Sequence, residues 1–239
     1  MTNNVDSSPF FISVNFFAVH TPIMIETDSS LLKPNVNGQS FTSPYEPKVS
    51  RYQTMLKVMD EEIGNIMKTA PNNTYFIFMS DNGGLESVVP SNDPLRGSKK
   101  TAFNGGINSP LIISYNGING GQKNQSLVNI MDLSATLTDI FDGQATMNYK
   151  TKLFEGSTLL PIFLENSLVS HDYYVKSTYS KGSNAAFVRN WKYVKHSNVE
   201  YLFDWRKDWF EQNDLSNKMP DTLNLLRNDY LYWDSLNNI

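Results

Sequence analysis

The stretch from Pro9 to Val19, PFFISVNFFAV, is a near-continuous run of apolar and β-branched residues. Such a run has no polar face to offer water. It suits a strand covered on both sides, as in a parallel sheet sandwiched by helices. A second run, TYFIFMS at 74–80, repeats the pattern and stops at Asp81-Asn82-Gly83-Gly84, a turn with two glycines. PLIISY at 110–115 reads as a third strand. Between the first two runs, Tyr52, Leu56, Met59, Ile63 and Ile66 recur at spacings of three and four. That spacing predicts an amphipathic helix over 49–70, with Ser50 near its N-cap and Pro71 after its end. Its Met residues read as core filler. Residues 23–47 and 85–109 are polar and rich in turn residues, and read as long loops. Further helices are expected over 132–141 and 159–164.

The character changes near residue 167. Segments 171–180, 185–190, 191–195 and 199–204 are short, aromatic-rich and closely spaced, which predicts antiparallel strands. Leu223, Leu226, Tyr230 and Trp233 then fall at helical spacing. The order predicts an α/β layer over 1–166, part of a larger sheet with flanking helices. A small α+β subdomain follows over 167–239, an antiparallel sheet plus a C-terminal helix.

Composition removes several function classes. The chain has no Cys, so a disulfide scaffold, a cysteine-ligated metal and a cysteine nucleophile are excluded. A net charge of −4 argues against a nucleic-acid partner. No run of about 18 apolar residues offers a transmembrane segment. The N-terminus, MTNNVDSSPF, lacks the basic and apolar regions of a signal peptide. The 239 residues suffice for one large domain, or one domain plus a small one.

Polar groups gather where strands end: His20, Asp81-Asn82, and Arg96 with Lys99-Lys100. In open α/β sheets, ligands bind at the carboxyl ends of strands. Asp81 and Asn82 offer a carboxylate and an amide oxygen, donors that suit Ca²⁺ or Mg²⁺; the same residues also suit an Asx-type turn. Lys99 follows Gly97-Ser98 in a loop, where an ammonium can reach an anion or stay solvated. His20 can bind an anion, move a proton, or sit hydrogen-bonded at a strand end. His171 and His196 have no cluster around them and receive no role. Asn72-Asn73-Thr74 and Asn124-Gln125-Ser126 match the glycosylation triplet, a weak signal in a chain rich in Asn.

Taken in order, the segments resemble the sulfatase family, within the alkaline-phosphatase-like superfamily. PFFISVNFFAVHTP resembles the strand ending in His-x-Pro, and YQTMLKVMDEEIGNIM the helix after it. TYFIFMSDNGG resembles the strand ending in Asp-Asn-Gly. PLRGSKKTAFNGGINSPLIISYNG resembles the Leu-Arg-Gly-x-Lys loop and its continuation. SLVNIMDLSATLTDIF, FEGSTLLPIFL and WKYVKHSNVEYLFDWRKDWFEQNDLS resemble the later helix, segment and C-terminal hairpin. The collinear match covers nearly the whole chain and the C-terminal two-thirds or so of a sulfatase.

The resemblance implies an alkaline-phosphatase-like α/β fold and hydrolysis of sulfate esters. It implies Asp81 and Asn82 as half of a calcium ligand set, Lys99 as a sulfate-binding lysine, and His20 as a sulfate-contacting histidine. Sulfated small molecules or glycans are the implied substrates. The implied compartments are secreted, periplasmic or lysosomal. The family's nucleophile is a formylglycine made within Cys/Ser-x-Pro-x-Arg, and that motif is absent: Ser7-Ser8-Pro9 and Ser43-Pro44 lack the Arg. The family's N-terminal Asp-Asp strand and Gly-Lys-Trp-His stretch are absent too. Asn104 and Asn108 stand where the family has Glu and Arg. Three readings follow: part of a sulfatase completed by an N-terminal half, an inactive sulfatase-like fragment or sulfated-ligand-binding protein, or a phosphoryl-transfer relative. The third needs two zinc ions with several His and Asp ligands, and the chain has three His.

Overall fold

The computed structural model describes residues 10–20, 23, 48–86, 91–116, 120–142, 156–169, 172–177 and 184–237. Most of the loop expected over 23–47, together with His171, Ser7-Ser8-Pro9 and Ser43-Pro44, lies outside them. The chain divides into two compact units. One comprises Met1–His20 and Gly117–Ser170, the other Thr21–Asn116 and His171–Ile239. No helix among the described residues is long and apolar enough to cross a membrane.

In the first unit, α3 (Ile130–Asp142) and α4 (Leu160–Glu165) are joined through buried polar groups. Asp132 is fully buried; one carboxylate oxygen accepts the Asn129 N–H (2.7 Å) and the other the Ser157 N–H (2.8 Å). The Thr136 hydroxyl accepts the Leu159 N–H at 2.8 Å. A helix start placed inside a protein must satisfy its backbone groups in this way. Residues 10–17 differ from the expected strand. They form no ladder, and their side chains are exposed, Phe11 by 60% and Ile12 by 69%. A buried strand needs paired neighbours and a cover on each face. No described residue pairs with this segment. The Asn124 side chain is engaged: its amide donates to Asn166 Oδ1 (2.8 Å) and to Ser167 O (3.1 Å), so a glycan on that nitrogen would break these bonds.

In the second unit, α1 (Lys48–Thr69) begins before Ser50, whose carbonyl accepts the Thr54 hydroxyl at 3.1 Å. β1 (Phe76–Met79) pairs antiparallel with β2 (Leu111–Ser114), Phe76 opposite Ser114 and Met79 opposite Leu111. The two expected strands therefore exist but run antiparallel to each other, with Tyr75 and Tyr115 stacked at 3.8 Å just beyond the pair. β3 (Tyr173–Ser177), β4 (Asn184–Val188), β5 (Lys192–His196) and β6 (Val199–Phe203) form a four-stranded antiparallel sheet in chain order.

Strand alternation gives this sheet two faces. Tyr193 and Leu202, paired in register, pack with Leu223, Leu226 and Tyr230 of α5 (Pro220–Asn237). Val194 and Phe203 pack instead with Ala102 and Phe103. Lys192, paired with Phe203 and in phase with Val194, shares that second face. Burial pushes the Tyr230 phenol up to about 12. At the sheet's far end Glu200 accepts from Tyr193 Oη (2.7 Å), Arg227 Nε (2.7 Å) and a second Arg227 nitrogen.

The bonds from Arg227 hold the Glu200 carboxyl below its ordinary value of 4.5. A depressed carboxylate pKa contributes stability above the unfolded value and loses it as pH falls through the folded one. We therefore expect the melting temperature to drop below about pH 4.5, and Glu200→Gln to flatten that drop. A Glu200→Gln protein with an unchanged acid profile would contradict this.

Candidate functional site

The turn after β1 is bound to the 97–110 segment by backbone and short side chains. Ser80 N–H donates to Pro110 O (3.2 Å), and the Ser109 hydroxyl to Ser80 O (2.7 Å). Gly83 N–H donates to Gly106 O, and Lys99 N–H to Gly84 O, both at 2.9 Å. The Asn92 side chain spans the same gap. Its oxygen accepts the Gly84 N–H (3.0 Å), and its amide donates to Gly84 O (2.9 Å). Asp81, Asn82 and Lys99 are thus carried on one interlocked pair of loops. His20 belongs to the other unit, is exposed, and packs beside Phe17 with ring centroids 5.5 Å apart.

The close approach of these loops explains their glycines. A Cβ on Gly83 would lie 1.8 Å from Gly105 O, and one on Gly105 would lie 2.1 Å from Gly97 O. Gly97 itself holds φ +78°, a conformation that side chains resist. Gly83→Ala is expected to destabilise the chain by about 1–3 kcal/mol, because a backbone oxygen cannot move aside as a side-chain tip can. Urea unfolding measures this; a shift of the midpoint no larger than that of a Gly64→Ala control, where a Cβ meets nothing within 4 Å, would refute the packing argument.

Asn82 Oδ1 is buried and has no hydrogen-bond partner, while the Asn82 amide donates to Asp81. A buried amide oxygen left without a donor costs free energy unless something else meets it. A hard cation does so, since it takes amide and carboxylate oxygens. The exposed Asp81 carboxylate beside it supplies a second donor. These two oxygens fit part of a calcium shell, which needs about six to eight. No group of three or more His, Asp or Glu able to hold a metal occurs among the described residues.

Arg96 is not free to meet a ligand. Its guanidinium lies 4.3 Å from the Phe103 ring centroid and 4.7 Å from that of Tyr201, and Nη1 donates to Glu211 O at 3.2 Å. This stack anchors the loop to the sheet through a cation–π contact. Lys99 is half-buried and Lys100 is exposed, with φ +81°. His196 packs against Phe103 at 5.4 Å.

Sequence reasoning missed the group that fixes this loop. Lys192 and Glu211 form an ion pair at 2.6 Å with side chains 1% and 0% exposed. Lys192 Nζ also donates to Asn104 Oδ1 (2.7 Å). The Asn104 N–H donates to Glu211 Oε2 (2.7 Å), and its side-chain amide to Trp209 O (2.9 Å). Asn104 opens the short helix α2 (Asn104–Ile107), which the sequence reading left inside a loop. The carboxylate that Asn104 itself does not supply comes from Glu211, 107 residues away. A Glu at 104 could not donate to Trp209 O and would set two carboxylates against one Lys. The sequence offers no signal for it: Lys192 shares a short aromatic-rich run with Lys195, and nothing in that run marks one Lys as buried.

A family model described as Sulfatase matches residues 1–143. A sulfatase of Formosa agariphila is 26% identical across 92% of this chain and 42% of its own length. N-acetylgalactosamine-6-sulfatase of Rattus norvegicus is 26% identical across 88% of this chain and 37% of its own. The crystal structure of Ps i-CgsB in complex with k-i-k-neocarrahexaose aligns with TM-score 0.74 and 22% identity, over 90% of this chain and 48% of that one. The chain therefore spans about two fifths of the length of the curated relatives it matches.

Proposed function

Since the chain belongs to the sulfatase family, we propose that it supplies part of a calcium-dependent site for hydrolysing sulfate esters of small molecules or glycans. The buried Asn82 oxygen without a donor, on the loop pair that also carries Lys99, is the observation that best supports this reading. Asp81 and Asn82 are two of the calcium ligands. When bound, calcium orients a sulfate group and offsets charge on its oxygens. Lys99 meets the sulfate ester through its ammonium, a contact that strengthens where it faces the departing ester oxygen, because negative charge builds there as the S–O bond breaks. His20 is assigned the sulfate contact and the aid to the leaving group on the resemblance alone. Residues 1–166 form the C-terminal portion of the α/β domain, and 167–239 its small subdomain.

The chain holds no Cys and no Ser-x-Pro-x-Arg. The nucleophile and the remaining calcium ligands then come from an N-terminal sulfatase half. The exposed apolar segment 10–17 is a surface such a half would cover. Co-expression with a sulfatase N-terminal half, its formylglycine verified by mass spectrometry, tests the reading. Sulfate release from an aryl sulfate or a sulfated galactosamine that stops on chelation and returns with Ca²⁺ is the expected result. A soluble complex that stays inactive on both substrates would overturn it. In that case salt-sensitive calorimetric binding of sulfated oligosaccharides would favour the non-catalytic binding protein.

A further inference from the structure

A cleft of about 640 Å³ opens beside the Lys99 loop, walled by Glu86, Ser91, Asp93, Arg96, Phe210 and Gln212. Its size is that of a site for a small ligand, and its walls combine one aromatic ring with hydrogen-bonding groups. Phe210 is 41% exposed, and Glu86, Ser91, Asp93 and Gln212 are exposed as well. The Ser91 hydroxyl oxygen accepts the Asp93 N–H at 2.9 Å, which leaves its own proton for a ligand. The lone guanidinium at the wall, that of Arg96, is taken up by the Phe103 and Tyr201 rings and by Glu211 O.

The walls are fixed before any ligand arrives. Asn92, which also lines the cleft, is tied to Gly84 by two bonds. In the C-terminal part of the lining, Asp208 accepts the backbone N–H of Gln212 (3.0 Å) and of Asn213 (2.7 Å). Glu211 is clamped by Lys192 at 2.6 Å. Preorganised walls lower the ordering cost of binding.

We propose that this cleft binds an uncharged sugar ring, the unit next to the one that carries the scissile sulfate; this rests on the sulfatase reading of Lys99. A pyranose has an apolar C–H face and a rim of hydroxyls. Phe210 offers the first a flat apolar partner. Carboxylates of Glu86 and Asp93 accept strong charge-assisted bonds from the second, and Ser91 and Gln212 add neutral ones. The same two carboxylates repel a sulfate on that ring, because like charges brought close raise the free energy of binding. The cleft thus selects substrates whose second ring carries no sulfate.

Saturation-transfer NMR on the full chain tests this with lactose, cellobiose, maltose and chitobiose as neutral probes, and with lactose 6′-sulfate as the charged one. At least one neutral disaccharide is expected to show transfer and a Kd in the millimolar range. Lactose 6′-sulfate is expected to bind about tenfold more weakly than lactose at low salt. Phe210→Ala should abolish transfer to the neutral probes, and Glu86→Gln with Asp93→Asn should erase the discrimination against sulfate. Circular dichroism of each variant establishes that it is folded. No transfer from any neutral disaccharide, tighter binding of the sulfated one, or transfer untouched in folded Phe210→Ala would overturn the proposal. None of these readouts uses calcium, Lys99 or hydrolysis. Sugar binding without reconstituted activity would remove the sulfatase reading and with it the assignment of this ring to a neighbour of the scissile sulfate, leaving a sugar-binding cleft; activity without sugar binding would sink this proposal alone.

Discussion

Lys192→Met is expected to destabilise the chain by about 3–5 kcal/mol, a large fraction of the roughly 5–15 kcal/mol that holds a domain together. The side chain is 1% exposed and its ammonium meets two oxygens, Glu211 Oε1 at 2.6 Å and Asn104 Oδ1 at 2.7 Å. Methionine fills much of the same volume, so the loss is electrostatic rather than a cavity. What remains is a fully buried Glu211 carboxylate with the Asn104 N–H as its surviving donor at 2.7 Å. An uncompensated buried charge is what makes removal of one partner costly, whereas removal of both is much less so. Lys192→Met combined with Glu211→Gln should therefore recover more than half of the loss, since the Gln oxygen still accepts from Asn104. Urea unfolding followed through Trp205 and Trp209 reads both. A single mutant within about 1 kcal/mol of the parent, or a double mutant worse than the single, would show that the pair does not hold the loop.

The largest expected effect on activity falls on Lys99. In the calcium-loaded, reconstituted protein, Lys99→Ala should lower kcat by about 10²–10³-fold, as removal of a donor aimed at developing charge does in a dry site. Stability should move by no more than about 0.5 kcal/mol, because the loop is held by the Lys99 backbone N–H on Gly84 O rather than by its side chain. Lys99→Arg should recover little, since a planar guanidinium does not place its charge where a compact ammonium does. Sulfate release under saturating substrate checks this. A loss of less than tenfold would return Lys99 to the solvated loop charge that its sequence context also allows.

Both predictions concern the same loop, and they divide by what kind of information reveals each residue. Lys99 stands out in the sequence because it sits in a recognisable Leu-Arg-Gly-x-Lys order. Lys192 does not, because nothing near it in the chain explains a buried cation. Its partners are Asn104 and Glu211, 88 residues before it and 19 after it. Arg96 misleads in the opposite sense. It reads as a ligand-facing charge beside Lys99, yet Phe103 and Tyr201 take it up once β6 lies against the loop.

Apolar residues at spacings of three and four determined the helices α1 and α5, because such a stripe has one face to bury, and short, aromatic-rich, closely spaced runs marked the four strands of the C-terminal sheet. The Asp-Asn-Gly-Gly turn, its candidate oxygen donors and the missing nucleophile motif were likewise legible, since each is a matter of which residues are present. Tertiary structure alone decided the rest. An apolar run such as 10–17 specifies a preference for burial but not a partner, and without a neighbouring strand it forms no ladder. The antiparallel pairing of β1 with β2 depends on which strands meet, a choice that strand composition leaves open. The Lys192–Asn104–Glu211 clasp and the cleft walls exist only where distant segments converge, and burial there turns an ordinary Lys and Glu into the pair on which the loop depends.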